Sequence, residues 1–577
     1  MKKSAIIVAI VFMMIGFAAV STSLIINSNI KVSENETDFD VYFSKARLDT
    51  IDVYESVISQ DKKTITFNTN NLSKVGDKST LTYEVTNNSA NYDAEIKVTC
   101  VPKDGTTAKY TSIKNKLDND ATVVKAKETL DGILTITLSK QSIEEVTEEY
   151  TCSLEFNAVE RKEVGIEKIY TEKLLNGTDP VLSDNLIPVT IKDDGEVIYA
   201  DITKEWFSYE DKVWANAVIL EDGTSYNVGD TIKESDIQSY FVWIPRYKYK
   251  LFNVDNYSLT TVASASEVES KAQEIDIEFE NKDTAISNGT TNGSWLTHPA
   301  FTSFDTNGMW VGKFETGYKG ATSKTAAQVN SSDSSKVIIK PNVYSWRNIT
   351  VKNIFETSYN YNRDADSHMM KNTEWGAVAY LSHSKYGIDK EININNNTTF
   401  KTGYSSIIKN DQSVYPGING DGPTFNSTYN TTTGYLASTT GNISGVYDMS
   451  GGAHEYVSAY LTGSLGSSGF DMASIANFDA KYFDLYNAST SSETYQNRIL
   501  GDATGEMGPF FKYYDGDNEL RNHNSWYDDF SYFINSSVPW LHRGGGYYNG
   551  SIASQFNFSR NTGGTNYLLS FRIVLSP

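Results

Sequence analysis

Eleven polar and aromatic side chains crowd one short stretch near the end of this 577-residue chain. They are Tyr547, Tyr548, Asn549, Ser551, Asn557, Ser559, Asn561, Thr562, Thr565, Asn566 and Tyr567. The stretch follows Arg543 and the glycine triplet Gly544 to Gly546, and it precedes the mostly apolar run Phe571 to Leu575. Tyrosine offers large amphipathic contact area at low entropy cost, while Ser and Asn offer adaptable hydrogen bonds. The chemistry is that of recognition, and these eleven residues are the candidate ligand-binding set. In QFNFSRN, strand alternation would turn Phe556, Phe558 and Arg560 inward and Asn557, Ser559 and Asn561 outward. The plain alternative is an Asn-rich polar surface with no ligand.

Other chemistry is thinner. Cys100 and Cys152 are the two cysteines, and in an exported chain such a pair suggests one disulfide. Closing that loop would stabilise the fold by roughly 4 kcal/mol in the chain-entropy model. The alternative is two buried thiols; with no histidine nearby they are poor zinc ligands. The histidines, His298, His368, His383, His454, His523 and His542, show no close spacing and read as packed or surface residues. Asp515, Asp517, Asn518 and Glu519 form an oxygen-rich loop that could hold calcium but lacks the EF-hand pattern; a solvated turn is the simpler reading. No Gly-x-Ser-x-Gly elbow stands at a strand-to-helix turn, so a hydrolase triad has no support. No catalytic residue and no cofactor are assigned.

These residues must be positioned by several domains, since the length suggests roughly three or four at about 150 residues each. Tyrosine is abundant (37) and proline scarce (11), which favours β-rich folded domains over disorder. The net charge of −22 argues against nucleic acid as a partner. Lys2 and Lys3 precede a largely apolar run from Ala5 to Ile26, the pattern of a secretory signal or membrane anchor. As a helix its 22 residues would span roughly 33 Å, enough to cross a bilayer. Cleavage near Ala18, Ala19, Ser21 or Ser23 and retention as an anchor both stay open. In either case the rest of the chain is exported, and the N-terminus is cytoplasmic if the anchor stays.

The expected organisation is a signal or anchor at 1–30, a β-sandwich stalk at 31–161, a small β connector at 162–238 and a ligand-binding domain at 239–577. ITFNTNNL, STLTYEVTNN, AEIKVTCV, GILTITLS and EYTCSLEFNAV read as the sandwich strands. Asp193-Asp194-Gly195 reads as a hairpin turn in the connector. Helix candidates begin at Thr297 and at Asn372, the second capped by Asn372 or Thr373. Asn393 and Asn395 to Asn397 read as an exposed loop. No repeat of fixed period is apparent.

Five segments then follow in order: YFVWIPRYKYKLF at 240–252, GMWVGKFETGYKG at 308–320, MKNTEWGAVAYL at 370–381, GVYDMSGGAHEYVSAY at 445–460, and HRGGGYYNG through FRIVL at 542–575. Together they resemble the formylglycine-generating enzyme (sulfatase-modifying factor) family, whose core is an α+β, C-type-lectin-like fold. The matching residues are Ile244, Pro245, Thr373, Glu374, Trp375, Asp448, Met449, Ser450, Gly451, Glu455, Arg543, Gly544, Gly545, Phe571 and Arg572. Most read as scaffold: Trp375 and Met449 fill a core, and Glu374, Glu455, Arg543 and Arg572 pair with one another or with backbone. The family's enzymes bind copper through two cysteines near the last Arg-Gly-Gly segment. Arg543 to Pro577 contains no cysteine, so thiolate ligation there is unavailable. The same segments resemble variable proteins of diversity-generating retroelements, in which the tail zone is mutated to change its ligand. The N-terminal part resembles camelysin-like β-sandwich domains of Gram-positive exported proteins.

The expected protein is thus a multidomain bacterial surface receptor or adhesin, held to the membrane through an N-terminal helix or secreted. Its tail binds a protein or glycan ligand. The alternatives are a formylglycine-family enzyme with altered chemistry and a structural surface-fibre subunit.

Overall fold

The computed structural model describes residues 20–577 apart from 32–38, 49–50, 53–57, 70–71, 90–91, 104–106, 119–120, 161–168, 253, 255–273, 285–286, 407–426, 488–497, 505, 507–511, 515–519 and 523–525. Strand outweighs helix by 36% to 12%, as the composition suggested. The chain divides into two compact units, Met1–Glu167 and Lys168–Pro577.

Among the described residues the first unit has ten strands: β1 (Val20–Lys31), β2 (Val41–Leu48), β3 (Ile51–Asp52), β4 (Thr64–Asn68), β5 (Lys78–Asn87), β6 (Tyr92–Pro102), β7 (Thr111–Leu117), β8 (Val123–Val124), β9 (Thr129–Leu138) and β10 (Val146–Glu160). They form two five-stranded sheets, ordered β4-β1-β10-β6-β8 and β3-β2-β5-β9-β7. Residues from both sheets share one core, with Leu81, Val85, Leu134 and Ile136 from one and Ile65, Ala94, Leu154 and Phe156 from the other. Alternation sets this packing: β5 buries every second side chain from Ser79 to Asn87. Gly132 stands opposite Tyr83 in the β5–β9 register, and a Cβ there would come within 2.3 Å of the tyrosine ring. Cys100 and Cys152 are register partners on β6 and β10 and form a disulfide.

The N-terminal reading needs correction here. The apolar run was expected to be a helix through Ile26, with the sandwich starting at residue 31. Residues 1–19 lie outside the described residues, and from Val20 the run is strand, paired with β10 and β4. Val20, Thr22, Ile25 and Ile26 are β-branched and favour the extended chain. No helix among the described residues is long and apolar enough to cross a membrane.

The second unit carries the tail. Its main sheet uses β11 (Ile187–Ile191), β12 (Val197–Tyr199), β13 (Asn216–Leu220), β14 (Thr231–Ile232), β15 (Ile237–Pro245), β16 (Gly308–Gly312), β17 (His368–Met369) and β23 (Ile573–Leu575). The order is β14-β12-β11-β13-β15-β16-β23-β17. The segment expected as a separate connector, 162–238, therefore supplies β11 to β14 to the same sheet as β15. Asp193 to Gly195 does turn β11 into β12. A second sheet uses β18 (His454–Leu461), β19 (Asp484–Tyr486), β20 (Trp540–Arg543), β21 (Phe558–Asn561) and β22 (Leu569–Phe571). Its order is β19-β18-β20-β21, with β22 alongside β18.

The two longest helices among the described residues of this unit are α1 (Val351–Tyr359) and α2 (Asn372–Ser382), and α2 is buried on every side. The cap of α2 is Lys371, not Asn372 or Thr373: the Glu374 carboxylate accepts from the Lys371 backbone N–H at 2.8 Å. Thr373 is occupied elsewhere, bonding to Asp484 through its backbone N–H at 2.7 Å. The candidate at Thr297 is a single turn, Pro299–Thr302.

Candidate functional site

The tail rests on a buried frame of charges. Arg572, between β22 and β23, donates from Nε to Glu455 Oε2 at 3.0 Å and from Nη2 to Glu455 Oε1 at 2.5 Å. Its remaining donors reach Gly312 O at 2.7 Å and Tyr447 O at 2.9 Å. Asp448 adopts a left-handed turn (φ 61°), and its carboxylate accepts from Gly403 N at 2.9 Å and Asn395 Nδ2 at 2.9 Å. Glu315 accepts from Ala453 N at 2.9 Å and from Ser345 Oγ at 2.5 Å. Gly452 must lack a side chain, since a Cβ would sit 2.4 Å from Glu315 Oε1.

Glu455 thus pairs with Arg572, whose charge also acts on Asp448, while Glu315 feels the neighbouring carboxylates. Burial, reinforced by the neighbouring carboxylates, pushes Glu315 well above the usual carboxylate range. Burial likewise raises Glu455 to about 7, against the opposing pull of Arg572, and raises Asp448.

A second buried arginine ties the turn to α2. Arg543 donates to Gln555 O at 3.0 Å and to Ala503 O at 3.3 Å, and lies over the Trp375 ring at 5.7 Å. Trp375 Nε1 donates to the same Gln555 O at 2.7 Å. Gly544 and Gly545 follow with φ of 83° and 73°. Met449 and Phe571 are fully enclosed in the core of this unit. The residues quoted for the family motifs therefore meet as frame, and Glu374 pairs with His368 at 2.9 Å.

Above the frame lies a run of stacked rings. The Arg347 guanidinium covers the Phe400 ring at 3.7 Å, and Phe400 meets Tyr547 edge-on at 4.9 Å. Tyr547 meets Tyr548 at 5.2 Å, and the Tyr548 hydroxyl is hydrogen-bonded to His454 Nε2 at 3.1 Å. His454 contacts His542 with ring centroids 4.8 Å apart. Burial lowers His454 to about 4 and also holds His542 well below the usual imidazole value, which favours the neutral form of both rings. Burial raises the Tyr548 phenol to about 12. Arg347 also clamps two loops, donating from Nη1 to Tyr567 O and from Nη2 to Lys324 O at 2.5 Å.

The eleven candidate binding residues do not share one fate. Thr565 and Tyr567 are exposed, Tyr567 at 56%. Tyr548, Asn549, Ser559, Asn561, Thr562 and Asn566 are half-buried, and the side chain of Ser551 lies outside the described residues. Tyr547 and Asn557 are buried, so both are corrected from contact residue to support. Asn557 does not face outward: its amide donates to Ile552 O at 2.6 Å, inside the turn that returns the chain to β21. Asn549, Asn561 and Asn566 also spend their carbonyls internally, on Gly546 N at 2.7 Å, Tyr456 Oη at 2.7 Å and Leu568 N at 2.8 Å.

Other expectations change as well. Asn393 and Asn395 to Asn397 are buried, not an exposed loop, because Asn395 is recruited to Asp448. His454 and His542, distant in sequence, are brought into ring contact by the pairing of β18 with β20. His523 and the calcium candidate Asp515, Asp517 and Glu519 lie outside the described residues. Among the described residues no cluster of three or more His, Cys, Asp or Glu is arranged for a metal ion. Sequence reasoning missed Glu315, Arg347 and Lys324. Arg347 had no local signal, since its partners lie in loops far away in sequence. No family model and no curated protein matches this chain.

Proposed function

We propose that this is an exported bacterial surface protein whose C-terminal unit binds a ligand through the tail face. In this reading the unit is a C-type-lectin-like domain related to formylglycine-generating enzymes and closest to the variable proteins of diversity-generating retroelements. What supports the kinship is the meeting of Trp375, Met449, Glu455, Arg543 and Arg572 in one buried frame, although they come from distant motifs. The observation that carries the binding role is the contrast at the tail. Exposed Tyr567 and Thr565 and half-exposed Tyr548 stand on side chains that are locked by packing and buried hydrogen bonds. A rigid support under accessible aromatic and hydroxyl groups is what a binding surface needs.

Export is supported by the basic residues and apolar run at the N-terminus and by the disulfide.

The test is binding of the purified full chain to arrays of saccharides and extracellular proteins, beside a Tyr548→Ala/Thr565→Ala/Tyr567→Ala variant. Loss of the array signal with folding intact is the expected result; an unchanged signal removes the tail as the binding face. Diversification has its own test in the neighbouring DNA. A near-copy of the region encoding 542–577 that differs only at adenines, beside a reverse transcriptase gene, is expected.

A further inference from the structure

The loops clamped by Arg347 carry no acidic residue. Segments 316–332, 392–406 and 541–577 contain no aspartate or glutamate, in a protein with 72 acidic residues and a net charge of −22. The fold brings these three segments together. Asn348 N donates to Asn566 O at 3.0 Å, Ser345 N to Phe400 O at 3.0 Å, and Val329 N to Arg347 O at 3.1 Å. At their junction one buried guanidinium holds the carbonyls of Lys324 and Tyr567 side by side. Lys324 is exposed, has no ion-pair partner among the described residues, and makes one long bond of 3.4 Å to Thr398 O. The exposed Lys324 and Tyr567 side chains therefore leave from backbone positions that share one guanidinium, with the exposed hydroxyl residues Thr325, Thr399 and Thr565 on the same loops.

Resting on the tail face as the binding site, we infer that its ligand is a carboxylated saccharide. A protein partner of ordinary affinity covers about 800 Å² per side around an apolar, aromatic core. Here the one exposed large apolar side chain among the described residues of these three segments is Tyr567. A single ring bordered by hydroxyl groups matches a sugar instead, whose C–H face lies on the phenol while its rim exchanges hydrogen bonds. The lone cation then selects the acidic sugar. A carboxylate set beside Lys324 forms a charge-assisted bond with no carboxylate of these three segments to repel it. The negative charge elsewhere is screened beyond about 8 Å at physiological ionic strength.

The experiment measures binding of the full chain to oligogalacturonate, to its methyl ester and to poly-L-glutamate, by calorimetry at low and physiological salt. Expected is binding to oligogalacturonate that weakens with salt, that Lys324→Glu weakens about fivefold to tenfold and that Lys324→Arg preserves. The methyl ester, with the same rings and no charge, binds more weakly by a similar factor. Equal binding of the ester, or no binding of oligogalacturonate at millimolar concentration, overturns the inference. Stronger binding of poly-L-glutamate overturns it in favour of an acidic peptide. Loss of binding in Tyr567→Ala with no effect of Lys324→Glu leaves the tail face standing and removes the anionic ligand. Binding indifferent to both substitutions removes the face itself.

Discussion

Leu569 to Leu575 and Thr565 to Tyr567 are near neighbours in the chain, yet they solve opposite physical problems. The first run is buried throughout and sets Arg572 against Glu455, with each of its three nitrogens donating a hydrogen bond. The second sits on the surface, where Thr565 and Tyr567 are exposed and Asn566 turns its carbonyl inward. The difference teaches where change is tolerated. A buried ion that loses its partner must be dehydrated alone, whereas an exposed side chain that is removed is replaced by water.

The largest expected effect follows from that asymmetry. Arg572→Met should destabilise the second unit by about 3–5 kcal/mol, because Glu455 and Asp448 lose their counter-charge in the interior. Chemical denaturation followed by tryptophan fluorescence measures it. Pairing Arg572→Met with Glu455→Gln should recover part of the loss. If the double variant is no more stable than the single one, the frame is not held by this pair.

A smaller effect concerns pH. Glu455 and Glu506 are both buried, and burial raises each to about 7 from the usual 4.5. Between these values the folded protein holds protons that the unfolded chain has released. The contribution of these two groups to stability is therefore fully present below about pH 4.5 and is lost as pH rises through 7, by about 3 kcal/mol for each group. Denaturation midpoints at pH 5 and pH 8 read the slope, and Glu455→Gln should flatten it. A second unit more stable at pH 8 than at pH 5 contradicts the buried frame as described. The tail has no group of this kind, so binding loss over the same range without unfolding would place a titrating group outside the frame.

The frame was more legible than the tail, for a physical reason. Charged residues set in apolar segments, such as Glu455 and Arg572, signal burial because their neighbours leave them little contact with water. Strands of the first unit were legible by alternation, as in Lys78 to Asn87, and the cysteines by their number. Asparagine gives no such signal. Asn395 and Asn557 have the composition of a surface, but each is drawn inside by a specific acceptor, Asp448 Oδ1 and Ile552 O. The strand at Val20 was hidden for another reason: a short apolar run does not distinguish helix from strand, and the strands that pair with it are far away in sequence.

The smallest effect separates the two regions most cleanly. Asn557→Ala should cost about 1 kcal/mol of stability, since it removes the bond to Ile552 O and leaves that carbonyl only its bond from Phe530 N. Tyr567→Ala should change stability by less than about 0.5 kcal/mol, because its side chain is mostly in water and its clamp to Arg347 runs through the backbone carbonyl. In binding the order should reverse: Tyr567→Ala abolishes ligand capture while Asn557→Ala preserves it at temperatures where the unit stays folded. Paired thermal melts and binding isotherms on the two variants decide the matter. If Asn557→Ala binds no ligand while retaining its fold, the boundary between frame and face lies one turn deeper in the tail than the exposed residues mark it.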